Sequence, residues 1–144
     1  MKKQKQTIFG RKGNCFATCI ANLMNIDIKD VPNFIDPVVY KNDWYGYFIK
    51  WLDSKGYSAI SIEMEKGKLP SMHVDNIPNG YLCIASGKSP RNCQHAVIVQ
   101  ANVIRGYNKN VIYNDLEIKF VHDPHPESLF IVNVDILTLL FKKL

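Results

Sequence analysis

Of the four cysteines in this 144-residue chain, Cys15 stands where its chemistry would be strongest. It follows Gly13-Asn14 and opens CFATCIANLMNI, whose apolar residues recur at helical spacing. Unpaired backbone N–H groups and the positive end of the helix dipole stabilise a thiolate at such a position, and the thiolate is the nucleophilic form. A cysteine inside an apolar helix can equally be a small core residue, which is the expectation for Cys19, one turn further in. A nucleophilic thiol also needs a base brought from elsewhere in the fold and held by a third polar group. Among the four histidines, His95 is the first candidate because it opens the apolar run HAVIVQA after the loop SGKSPRNCQ. On strand alternation it shares a face with Val97 and Val99, a placement that also fits a half-buried histidine bonded to a backbone carbonyl. Asp123 closes EIKFVHD just before Pro124, where a carboxylate could orient His95. An Asp-Pro turn start is the competing reading, and the adjacent His122 and His125 fit surface or packing roles. The remaining requirement is a donor for the oxyanion that forms when a thiolate attacks a carbonyl. Gln6 is the candidate, with the Cys15 backbone N–H as second donor. Gln4 and Asn14 are alternatives, and a solvent-exposed side chain in a basic terminus is the competing reading for Gln6.

These residues need elements to hold them. The spacing predicts a helix from about Asn14 to Met24, a turn at Asp30, Pro32 and Asn33, and a second helix from Val38 or Tyr40 to Ser54. In the second helix Trp44, Phe48, Trp51 and Leu52 fall on one side, and Gly56 is placed to end it in a left-handed conformation. From Tyr57 onward the pattern changes to short β-branched and aromatic runs: YSAISIEM, GYLCIAS, HAVIVQA, a weaker NVIYN, and EIKFVHD. The segment SLFIVNVDILTLLF reads as a strand in its first half, and as a strand or short helix over Asp135 to Phe141. KLPS, NIPNG, SGKSPRN, GYNKN and DPHPES carry the turn residues. Helices first and strands later predict an α+β fold with an antiparallel sheet, in one domain spanning residues 1–144.

Composition narrows the partners. Hydrophobic residues make up 47% and charged residues 22%, which excludes a disordered or collagen-like chain. Lys and Arg exceed Asp and Glu by 18 to 13, and much of that excess lies in Lys2, Lys3, Lys5, Arg11 and Lys12 at one end and Lys142 and Lys143 at the other. No cation stripe or nucleic-acid-binding module accompanies it, so solvated termini are expected and a nucleic-acid partner is not. The start has no apolar run of signal-peptide length and no segment approaches membrane-spanning length, giving the expectation of a cytoplasmic protein without a membrane partner. The cysteines are too sparse for a disulfide scaffold and form no paired CxxC units. Cys15 and Cys19 have a ligand-like separation, but metal binding ranks well below catalysis, and no metal or organic cofactor is expected.

The segments QTIFGRKGNCFATCIANLM, DVPNF, SGKSPRNCQHAVIV and VHDPHP, in this order from Gln6 to Pro126, resemble papain-like cysteine peptidases. The similarity is to the double-glycine (bacteriocin-processing) branch, and within it to small bacterial and phage proteins. The resemblance implies a nucleophile at Cys15, a general base at His95, an orienting residue at Asp123 and an oxyanion side chain at Gln6. It also implies a papain-like arrangement in which the cysteine-bearing helix packs on an antiparallel sheet. The interval from Gln6 to Cys15 is longer than in the better-known peptidases of the branch. NVIRGYNKNVIYNDLEIKF is long for a simple hairpin and leaves room for an extra hairpin or a lid. No transporter domain is attached, so export-coupled leader cleavage is not expected.

Together these observations predict a cysteine-dependent hydrolase with an acyl-thioester intermediate, acting on a peptide or protein amide bond. An acyltransferase with the same triad differs only in the acceptor. From another class, a catalytically silent binding module on the same scaffold, such as a phage protein engaging a host factor, is the rival. A nucleic-acid contact through the basic termini ranks third. Homodimerisation through the aromatic helix around Trp44 and Trp51 is left open.

Overall fold

A computed structural model of the chain describes residues 1–10, 13–37, 41, 43–104 and 111–144. Helix α1, Cys15–Met24, is buried on all sides over Phe16 to Asn22, with Phe16, Ala17, Cys19, Ile20 and Ala21 as its apolar contribution to the core. It ends where Asn25 turns left-handed at φ 57° and directs its N–H to Ala21 and Asn22 carbonyls. Helix α2, Trp44–Ser54, buries Phe48 and Leu52, and Gly56 follows it at φ 78°, as its position in the sequence predicts. The expected start of α2 at Val38 or Tyr40 lies outside the described residues. Lys41, which is described, adopts φ 50°, and the helix proper begins only after Asp43. Aromatic rings join the two helices: Phe16 meets Trp44 and Phe48 edge-on at 5.7 and 5.2 Å between centroids.

The chain then builds β1 (Tyr57–Glu63), β2 (Leu69–Pro70), β3 (Tyr81–Lys88), β4 (Gln94–Val103), β5 (Tyr113–Asn114), β6 (Leu116–His122) and β7 (Ile136–Lys142). Five of these form an antiparallel sheet in the order β1-β7-β3-β4-β6. The fold is therefore α+β, an N-terminal helix on an antiparallel sheet. Alternation divides β4 cleanly. Ala96 and Ile98 join the helix-side core, and Val97 and Val99 join a second core with Ile62, Leu69 and Leu137 on the opposite face. A two-turn 3₁₀ segment, Ser71–Asn76, contributes Val74 to that second core.

Three expectations change. KLPS is not merely a turn, because Leu69–Pro70 pairs with Tyr113–Asn114 in a separate two-stranded sheet, which is also all that the weak NVIYN strand amounts to. The GYNKN loop lies outside the described residues. The second half of SLFIVNVDILTLLF is the strand β7, but its first half is not a strand. Ser128 and Phe130 have φ 52° and 60°, values no strand residue takes, and the segment's backbone meets β3 through Val132 N–H to Lys88 O and Asp135 N–H to Ser86 O. This irregular stretch presses so closely on β3 that a Cβ at Gly87 would overlap the carbonyl oxygen of Asn133. Gly87→Ala must displace backbone rather than a side chain. It is expected to lower stability by about 1–3 kcal/mol in chemical denaturation.

Candidate active site

The first six residues are not a loose tail. Gln4 places its side chain on the end of α1, donating from Nε2 to Asn22 Oδ1 and Ile26 O and accepting at Oε1 from Ile28 N–H. Its carbonyl accepts from Asn22 Nδ2 and pairs with His122 Nε2 at 2.9 Å. The strap continues with Gln6 N–H on the carbonyl of Pro124 and Lys5 Nζ on that of Asp123. It is thus fixed between α1 and the end of β6. Lys2, Lys3 and Lys5 remain exposed, and Arg11 and Lys12 lie outside the described residues.

Asn14 holds the strap from its other side. Its Oδ1 accepts from the N–H groups of Thr7 and Ile8, both at 3.0 Å, and its Nδ2 donates to Thr7 Oγ1. Asn is a favoured N-cap residue, yet here the side chain makes no cap hydrogen bond. The first N–H groups of α1, beginning with that of Cys15, therefore have no side-chain acceptor from the N-cap residue. Gln4 has both of its side-chain N–H groups engaged, and Asn14 has both polar side-chain atoms tied to the strap. Both sequence alternatives to Gln6 are spent on structure.

Cys15, half-buried at the first position of α1, lies against His95. His95 is buried one residue inside β4, and its Nε2 meets Asp123 Oδ1 at 2.7 Å. That contact leaves Nδ1 as the ring nitrogen for the Cys15 side. Burial pushes the imidazole pKa down, but hydrogen bonds to Asp123 and Cys15 and the charges of both outweigh it, so that it rises to about 9. Burial likewise pushes the Asp123 carboxyl up. It is overcome by the bond to His95 and by two backbone donors, His125 N–H on Oδ1 at 2.8 Å and Phe130 N–H on Oδ2 at 2.7 Å, which together hold the pKa below its usual value. The left-handed Phe130 is costly for an aromatic residue, and its amide is what completes the carboxylate's shell.

A bulge lies just before the His95–Asp123 pair. β6 aligns Phe120 with Val99 but His122 with Ile98, one residue having been inserted. The pairing of β4 with β6 ends at this point, and Asp123, the first residue beyond β6, reaches His95, which lines the cleft on the α1 side of the sheet.

Gln6 is buried and reaches the edge of the site. Its Nε2 donates to Ile8 O at 3.0 Å, and its Oε1 has no hydrogen-bond partner among the described residues. The same Nε2 would lie 3.6 Å from a Cβ on Gly13, a position where a side chain would also crowd the Gly10 and Ile8 carbonyls at 2.9 and 3.1 Å. Only glycine lets the strap fold back this tightly in front of Cys15. The remaining cysteines stand in other surroundings. Cys19 lies in the helix-side core, where burial and then the proximity of Cys15 and Asp123 push its pKa well up. Burial raises Cys83 to about 12, and Cys93 is exposed. Of the other histidines, His122 serves the strap, and the ring of His125 stands 6.1 Å from that of His95 and packs edge-on against Phe9.

Cys15 and His95 open onto a cleft of about 830 Å³, walled by Phe16, Ile35, Trp44 and Tyr45 and floored by the sheet. Sequence reasoning did not find this cleft, because its floor is made of Ser61, Ser86 and Thr138, small polar residues that carry no signal alone. Among the described residues no group of three or more His, Cys, Asp or Glu side chains could hold a metal ion, and no helix is long and apolar enough to cross a membrane. Comparison with protein-family models, curated proteins and solved structures found no match to the chain.

Proposed function

We propose that the protein is a cysteine-dependent hydrolase of papain-like architecture that cleaves amide bonds in peptides or proteins. The observation that carries this reading is the buried His95, bonded to Asp123 through one ring nitrogen and facing, with the other, a cysteine at an uncapped helix start on a cleft wall. An imidazole that stays protonated to about pH 9 is an ion-pair partner for a thiolate through the whole neutral range.

In this reading Cys15 Sγ attacks the carbonyl carbon, the C–S bond forms and the carbonyl π pair moves onto oxygen. The Cys15 N–H and the second N–H of Gln6 Nε2 receive that oxyanion. His95 Nδ1 gives its proton to the nitrogen as the C–N bond breaks, and the amine leaves. Neutral His95 then takes a proton from water, whose oxygen attacks the thioester. The C–S bond breaks, the acid departs, and the thiolate–imidazolium pair is restored. Asp123 keeps the ring oriented through both proton transfers without taking a proton itself. The free thiols suit a reducing compartment, and we place the enzyme in the cytoplasm.

Gln6→Ala is expected to reduce turnover by about 10²–10³-fold, the usual effect of removing one oxyanion donor, while leaving the rate of Cys15 alkylation by a small haloacetamide nearly unchanged. The decisive test of the reading is covalent trapping with acyl-donor probes, followed by peptide mass mapping. The expected result is acylation at Cys15 that vanishes in Cys15→Ala. Labelling that survives the substitution, at Cys93 or elsewhere, would overturn it.

A further inference from the structure

The cleft extends well beyond the reacting atoms, and its far end is chemically distinct. Strand register pairs Ala96 with Ser86, Ser86 with Ile136, and Ile136 with Glu63. One row of residues on the cleft side of the sheet thus crosses four strands, from the neighbour of His95 to the edge strand β1. At about 4.8 Å between strands the row is roughly 14 Å long, the span of about four residues of extended peptide.

Glu63 is exposed and makes no ion pair among the described residues. It is the only carboxylate that lines the cleft among those residues, and no described lysine or arginine lines it, although the chain as a whole carries a net +5. Two residues along the same face of β1, Ser61 Oγ accepts a hydrogen bond from Tyr45 Oη at 2.9 Å, which holds that ring in the cleft wall. Trp44 stands edge-on to Tyr45 at 5.4 Å. Aromatic faces beside an unpaired carboxylate, in a mostly apolar cleft, are the surroundings that hold an organic cation. The rings cover the aliphatic stem and attract the charge, and the carboxylate supplies the opposite charge.

We infer that this end of the cleft binds a lysine or arginine side chain of the substrate, held between Glu63 and the rings of Trp44 and Tyr45. The cation sits about two to four residues from the bond at Cys15, as the length of the row requires. The substrate is then a basic peptide segment. The assignment of a scissile bond rests on the hydrolase reading above, whereas the cation site itself does not.

The test uses capped octapeptides in which a single lysine is moved along the chain, each paired with the same peptide carrying norleucine. Binding is measured by fluorescence anisotropy to Cys15→Ser, which cannot turn over. The best lysine peptide is expected to bind about tenfold more tightly than its norleucine partner, about 1.4 kcal/mol, and Glu63→Gln should bring the two within about twofold by removing the charge. Equal affinities on the Glu63 protein, or a lysine preference that survives Glu63→Gln, would overturn the inference. The same peptides given to the unsubstituted protein separate the two claims. Lysine-selective binding without acylation of Cys15 leaves the cation site standing and removes the hydrolase, whereas cleavage indifferent to lysine does the reverse.

Discussion

Replacing His95 with alanine is expected to slow acylation of Cys15 by an amide or activated-acyl probe by about 10²–10⁴-fold near neutral pH. The size follows from what the ring does at its two nitrogens. Nε2 is tied to Asp123 at 2.7 Å, which leaves Nδ1 to face the thiol, and the pKa of about 9 keeps a proton there at pH 7. Without the ring, Cys15 retains only the helix N-terminus as electrostatic support, worth far less than an adjacent cation. The leaving amine also loses its proton donor. Single-turnover kinetics with a chromogenic acyl probe measures the effect. Because His95 is buried, circular dichroism and a denaturation midpoint on the same sample separate loss of chemistry from loss of fold.

The second large effect is on stability. Asp123→Ala removes the acceptor of three hydrogen bonds, from His95, His125 N–H and Phe130 N–H, and strands a buried imidazole that burial alone would drive to the neutral form. Breaking one side of a buried ion pair costs about 3–5 kcal/mol, and the left-handed Phe130 loses the bond that fixes it. Asp123→Asn keeps an acceptor for part of this set and is expected to recover stability more than activity. The loss should depend on pH in a definite direction. His95 is raised from 6.5 to about 9, so its contribution is full below about 6.5 and disappears as pH rises through about 9. Asp123 is lowered from 3.8, so its contribution is full above about 3.8 and disappears as pH falls through the depressed value. The difference between the unsubstituted protein and Asp123→Ala, followed by urea denaturation, is therefore expected to be greatest between about pH 4 and 6.5.

Much of this arrangement is legible in the residues. Helical spacing gives α1 to within a residue, and the β-branched and aromatic runs give β1, β3, β4 and β6, with β3 and β4 reading as unbroken apolar runs because both of their faces are buried. Cys15, His95 and Asp123 each stand at the end of an element, where a side chain can leave the core and still be held. Their juxtaposition is not legible, since it joins ends of elements far apart in the chain, and the bulge between Ile98 and Val99 beside it leaves no mark on hydrophobic periodicity. The stretch before β7 reads as a strand because it is apolar. It is irregular because Gly87 lets Asn133 approach too closely for pairing and because Asp123 draws Phe130 N–H out of any ladder. The strap is hidden for a similar reason. Gln4, Asn22 and His122 are unremarkable one by one and form a knot only when the ends of α1 and β6 meet.

The central claim is that a charged imidazole holds the sulfur of Cys15 in its nucleophilic form, and the pH dependence of alkylation by iodoacetamide reads this directly, with exposed Cys93 as an internal reference. The account predicts that Cys15 is alkylated well ahead of Cys93 across neutral pH, and that His95→Ala removes this advantage. Cys15 no faster than Cys93 from about pH 6 to 8 would contradict it.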